Sequence, residues 1–188
     1  MDIKIPLNWL KDWLDTDASA PILAQKLSLC GPSVERINRD GRDWVFDIEV
    51  TTNRPDSASV YGIAQEASAI LPRFGYKATL QKLPSLHDLS PETNKRLPLK
   101  VNIAKDNFGS RFSAIVLDNV KTGPSPKNIQ ARLKQVGIRP INNVVDITNY
   151  LMVEIGQPMH AFDYDKISSH SLNLRESREG EKITTLDN

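Results

Sequence analysis

The sequence predicts an α+β chain in two domains: a small helical domain with a short β-hairpin, then a mixed-sheet domain. Three observations carry this. Residues 46–50, Phe-Asp-Ile-Glu-Val, alternate apolar and acidic side chains, the period of a half-buried strand, just after the turn dipeptide Asp40-Gly41. Residues 60–71 instead place Val60, Ile63, Ala67, Ile70 and Leu71 on one helical stripe. Between these and a second patterned region lies Leu-Pro-Ser-Leu-His-Asp-Leu-Ser-Pro-Glu-Thr-Asn-Lys-Arg-Leu-Pro, which holds no sustained period. The division is therefore 1–76, a linker over 77–98, and 99–188.

In chain order, Asn8 is expected to cap a short helix carrying Trp9, Leu10, Trp13 and Leu14. Pro21 suits the first turn of a second helix, because its missing N–H has no intrahelical partner there. Leu23, Leu27 and Cys30 share a face, and Gly31 is expected to end that helix with positive φ. Asp56 or Ser57 opens the third helix, with Arg54 on a nearby carboxylate, and Pro72 and Gly75 close it. The three tryptophans, Trp9, Trp13 and Trp44, read as core rather than as base-stacking platforms.

In the second domain Arg-Phe-Ser-Ala-Ile-Val-Leu-Asp-Asn-Val (111–120) has the near-continuous apolar pattern of a strand covered on both faces. Ser125 is expected as a cap with Pro126 at the first helical position, Ile129, Leu133 and Val136 on one face, and Gly137 at the end. Val-Val-Asp-Ile-Thr-Asn-Tyr-Leu-Met reads equally as a helix or a buried turn. Leu-Asn-Leu-Arg-Glu-Ser is strand-like. Arg-Glu-Gly-Glu-Lys-Ile-Thr-Thr-Leu-Asp-Asn reads as a turn and the start of a partner strand, so the chain is expected to be part of a longer protein.

Composition narrows the function classes. The formal net charge is +1, so overall charge gives no argument for nucleic acid. Yet no Asp or Glu lies between Asn119 and Val145, while Lys121, Lys127, Arg132, Lys134 and Arg139 do. That local basic field is either a solvated face or a polyanion surface. Cys30 is the single cysteine, which allows no internal disulfide and fits a reducing compartment, the cytoplasm. The N-terminus lacks the apolar core of a signal peptide, and no apolar run is long enough to cross a bilayer, so no membrane partner is expected. His87, His160, His170 and Cys30 lack ligand spacing, so no metal is expected.

Two long stretches carry a resemblance. Phe-Asp-Ile-Glu-Val-Thr-Thr-Asn-Arg-Pro-Asp through Leu71 resembles the N-terminal domain of the bacterial phenylalanine–tRNA ligase β subunit. Residues 137–167, with Thr-Asn-Tyr, Gly-Gln-Pro and His-Ala-Phe-Asp, resemble the start of its editing domain. The opening Ile-Pro-Leu-Asn-Trp-Leu-Lys-Asp-Trp-Leu-Asp and the closing Arg-Glu-Gly-Glu-Lys-Ile-Thr-Thr-Leu-Asp-Asn are similar to the same family. One departure stands out. Family members usually carry an inserted oligonucleotide-binding domain where this chain has only the short turn at Asp40-Gly41.

The resemblance implies an enzyme subunit. The family joins Phe to tRNA(Phe) with ATP and Mg²⁺, on a heterotetramer of two α and two β subunits, with activation on the α subunit. The β subunit hydrolyses mischarged Tyr-tRNA(Phe). Thr148, Asn149 and His160 match its pocket positions and become the expected substrate-binding residues. His160 is the candidate catalytic residue, as a general base or as an anchor for the substrate. By itself, a residue such as His160 is more often a structural histidine bonded to a carboxylate such as Asp163, and Thr148 and Asn149 more often a cap or turn. Lys127, Arg132, Lys134 and Arg139 are the RNA-binding candidates. The family's pocket also uses a glycine-rich loop and an acidic residue that fall outside this chain, so the isolated chain is expected to be inactive. A free-standing tRNA-binding or trans-editing module and a non-catalytic assembly scaffold are the alternatives.

Overall fold

The computed structural model describes residues 1–84, 97–104 and 111–184. The fold is α+β, with a small helical region and open sheets. The described residues fall into two compact units, one formed by 1–84 with 121–161, the other by 97–104, 111–120 and 162–184. These units do not follow a division at 77–98: residues 121–161 join the N-terminal unit.

In the first unit, β1 (Asp2–Pro6), β4 (Asp43–Glu49) and β3 (Ser33–Asp40) form an antiparallel sheet in the order β1-β4-β3. β4 is central, and Val45, Phe46 and Ile48 are buried. β3 and β4 meet at the expected Asp40-Gly41 turn, where Gly41 has φ +58°, with no domain inserted between them. Edge strand β3 carries a bulge between Val34 and Arg36.

Three helices pack on this sheet. α1 (Leu7–Leu10) is shorter than expected: Pro6, not Asn8, is its N-cap, and Leu14 already belongs to β2 (Leu14–Thr16). The Asn8 N–H donates to Asp43 Oδ1, so Asn8 is held by the sheet rather than capping the helix. β2 pairs antiparallel with β5 (Ala78–Leu80), which lies inside the expected linker. The rest of that linker includes 85–96, outside the described residues.

α2 (Ala20–Cys30) buries Ala20, Leu23, Ala24 and Leu27, the i, i+3, i+4, i+7 set of one helical face. It ends at Gly31 with φ −143°, not the positive φ expected. Glycine serves there through close approach: a Cβ would lie 3.1 Å from Ile70 Cδ1.

α3 (Val60–Ile70) is opened by Ser59, whose Oγ accepts from Gly62 N at 2.9 Å. Asp56 and Ser57 sit one turn earlier, in the 3₁₀ turn Pro55–Ser57. Arg54 donates to Asp56 Oδ2 at 2.8 Å and to Glu66, tying that turn to α3. Trp9 is fully buried, and Trp13 and Trp44 pack half-buried against the same core.

α4 (Lys127–Gln135) and α5 (Asn143–Ile155) complete this unit. Pro126 is the N-cap of α4; Ser125 is buried, and its hydroxyl donates to Asp146 at 2.5 Å instead of capping. Gly137 follows the helix with φ +84°. The ambiguous stretch is a helix because Asn142 caps it, accepting from Val144 N and Val145 N at 3.0 Å each, and Gly156 ends it with φ +77°.

The second unit is built on a parallel pair, β6 (Lys100–Ile103) with β7 (Ser171–Leu174), and the Asn102 amide donates to Asn173 Oδ1 at 2.8 Å. Residues 111–120 form no strand: Ile115 and Leu117 are 81% and 68% exposed. An apolar run becomes a buried strand only where neighbours cover both faces, and α4 and α5, which follow it in the chain, belong to the other unit. The expected terminal turn is present, with Glu181 N donating to Arg178 O, while 185–188 lie outside the described residues.

Candidate functional site

Two of the three pocket candidates lie on α5. Thr148 and Asn149 are consecutive, so they project about 100° apart around its axis. Both are half-buried. Thr148 Oγ1 donates to Val145 O at 2.8 Å, the back-bond typical of a helical threonine. Its oxygen keeps acceptor capacity. His160 is exposed in the loop after Gly156. Asp163, its possible structural partner, caps the 3₁₀ turn Tyr164–Lys166 and lies 3.1 Å from Lys166 Nζ.

What fixes α5 is unusually polar for a packed helix. Asp146 is 1% exposed and accepts from Ser125 Oγ and from Ile141 N, at 2.5 and 2.7 Å. Asn143 Oδ1 accepts from Gly123 N at 3.0 Å, and its amide donates to Lys121 O at 2.9 Å. Tyr150 stacks on Trp9 with ring centroids 4.4 Å apart. Glu154 Oε1 accepts from both Trp9 Nε1 (3.1 Å) and Trp13 Nε1 (3.3 Å). The many polar groups in this segment are thus satisfied largely by the protein, which is what burying them requires.

The basic candidates separate into two kinds. Lys127, Lys134 and Arg139 are exposed, and Lys127 and Lys134, seven apart, share a face of α4. Arg132 is engaged: it donates to Tyr150 Oη at 2.6 Å and to Asp12 Oδ2 at 2.5 Å, with its guanidinium over Trp9. Burial works against the charge on Arg132, but those two bonds outweigh it and raise its pKa. Burial likewise raises the Tyr150 pKa, against the pull of Arg132.

A hollow of about 800 Å³ opens in the same unit beside Ile3, Lys4, Asp47, Ser59, Met152 and Val153. It meets α5 on residues other than Thr148 and Asn149. Among the described residues, no group of three or more His, Cys, Asp or Glu is arranged to hold a metal ion, and no helix is long and apolar enough to cross a membrane. Glu154, Tyr150 and Asp12 were not singled out from the sequence. Glu154 gave no local signal, because its partners stand more than 140 residues away.

Residues 109–188 match the B3/4 domain family, so the chain carries a B3/4-type sequence over its C-terminal part. Along most of its length it is a relative of the bacterial phenylalanine–tRNA ligase β subunit. It is 44% identical over 145 residues to that subunit of Carboxydothermus hydrogenoformans, covering 77% of this chain and 17% of the relative. The Anaeromyxobacter dehalogenans subunit is 41% identical over 175 residues, covering 93% and 21%. For Geobacillus kaustophilus the figures are 40% over 164 residues, 83% and 19%. The chain spans about one fifth of the length of these relatives.

Proposed function

We propose that this chain acts as part of a phenylalanine–tRNA ligase β subunit and contributes to hydrolytic removal of tyrosine from Tyr-tRNA(Phe). The observation that carries the reading is the kinship over most of the chain, joined to a B3/4 match that spans Thr148, Asn149 and His160. The chemistry gives a reason for a second site. A pocket that selects Phe by apolar contact rejects an analogue that only adds a hydroxyl by about a hundredfold.

Asn149 both donates and accepts, so it can orient a ribose hydroxyl or a water. Thr148 presents an acceptor beside it. His160 anchors the substrate or takes the water proton. None of the three is a Ser or Cys nucleophile, so the step rests on placing water against the ester carbonyl. ATP and Mg²⁺ belong to aminoacylation by the whole ligase, with the α subunit and tRNA(Phe) as partners in the cytoplasm. In this reading residues 1–76 serve assembly and residues 99–188 serve editing, although 121–161 fold with the N-terminal unit, and Lys127, Lys134 and Arg139 offer charge to the tRNA backbone.

The test is His160→Ala in the complete ligase. Loss of Tyr-tRNA(Phe) hydrolysis with normal Phe charging is expected. An unchanged hydrolysis rate removes His160 from the site.

A further inference from the structure

Tyr150 and Glu154 stand one turn apart on α5 and grip the same indole. Tyr150 covers the Trp9 ring, with an interplanar angle of 29°, and Glu154 takes its N–H. The same carboxylate oxygen accepts the N–H of Trp13, and Arg132 ties Tyr150 back to Asp12. Trp9 is itself fully buried, so the grip is on an immobile ring. Contact on both the face and the edge of a fixed ring restrains rotation of the helix about its axis. Apolar contact alone restrains it less, because it is non-directional.

We propose that Glu154 is a positioning residue: it sets the rotation of α5 through Trp9 and Trp13 and thereby aims Thr148 and Asn149. The functional half of this rests on the editing role proposed above. The magnitude is sufficient. Side-chain tips lie about 5–6 Å from a helix axis, so a rotation of roughly 10° moves them about 1 Å. A misplacement of that size can cost about a hundredfold in rate. Hydrogen-bond acceptance, not charge, does this work, so Gln at 154 serves and Ala does not.

The three tryptophans make the test internally controlled. Trp44 lies under Arg39, with the guanidinium 3.8 Å from its ring, and takes no part in the grip. In a proton–nitrogen correlation spectrum of the chain, Glu154→Ala is expected to shift the indole signals of Trp9 and Trp13 and to leave Trp44 in place. Amide exchange over 147–151 is expected to rise while that of α2 stays unchanged. Glu154→Gln is expected to restore both. In the complete ligase, Glu154→Ala should lower kcat for Tyr-tRNA(Phe) hydrolysis by roughly tenfold to a hundredfold with little change in KM, and Glu154→Gln should recover it. Unmoved Trp9 and Trp13 signals, unchanged exchange in α5, or a Gln variant as impaired as Ala overturns the proposal. A wild-type ligase that does not hydrolyse Tyr-tRNA(Phe) overturns the editing role instead, and the indole and exchange measurements still decide whether Glu154 holds the helix.

Discussion

Gly62 lies against the carbonyl of Asp56: a Cβ at Gly62 would stand 2.2 Å from that oxygen and 2.8 Å from Ser57 Cα. The contact is backbone on backbone, so no side-chain rotamer can relieve it. Gly62→Ala gains about 1 kcal/mol of helix propensity but must push the 3₁₀ turn off α3, at a cost of about 3 kcal/mol. The net expected change is a loss of roughly 2 kcal/mol, read by urea unfolding. A stabilised Gly62→Ala protein contradicts the packing described.

Asp146 is held by two neutral donors, and among the described residues no ion pair engages it. Asp146→Ala leaves the Ser125 hydroxyl and the Ile141 N–H unpartnered, at about 3 kcal/mol together. Asp146→Asn keeps one acceptor and should cost roughly half of that. If the two variants unfold at the same denaturant concentration, the geometry at Asp146 is not what holds the 123–146 segment.

The basic residues should answer differently to salt. Lys127→Ala, Lys134→Ala and Arg139→Ala should each lower the slope of log binding constant against log salt for tRNA by about one unit if they neutralise phosphates. Arg132→Ala should leave that slope in place and instead lower the melting temperature, since Arg132 is occupied by Tyr150 and Asp12. A slope change confined to Arg132→Ala reverses the assignment.

Glu181 offers a pH prediction in the second unit. The bond from Arg175, at 2.5 Å, and the Arg178 N–H lower its pKa to about 2 from an ordinary 4.5. A depressed carboxylate contributes stability that is full above its unfolded pKa and disappears as pH falls through the folded one. The turn at 178–181 should therefore stay formed through pH 4.5 and open only as pH approaches 2. Carbon chemical shifts of the Glu181 carboxyl follow this directly, and a midpoint near 4.5 rules out the pairing.

Much of the first unit was legible in residue order. The stripe of α3, the Asp40-Gly41 turn and the buried face of α2 are local patterns, and local patterns survive folding. The capping residues were harder. Asn8, Asp56 and Ser125 all have capping chemistry, but the sheet holds Asn8, Arg54 holds Asp56 and Asp146 holds Ser125. Residues 111–120 misled for a different reason: the apolar run states that cover is wanted without saying what supplies it. Thr148, Asn149 and His160 are proposed only on the strength of a long motif, because none has a distinctive local pattern. Glu154 was silent, since its meaning depends on Trp9 and Trp13 across 145 and 141 positions.

The link between Trp9 and Glu154 also has a consequence for synthesis. Ribosomes add roughly 5–20 residues per second, so Trp9 waits about 7–30 s for the residue that takes its N–H. During that interval the nascent N-terminal unit presents the indole edges of Trp9 and Trp13 without their carboxylate. Slower decoding before residue 154 prolongs this exposure.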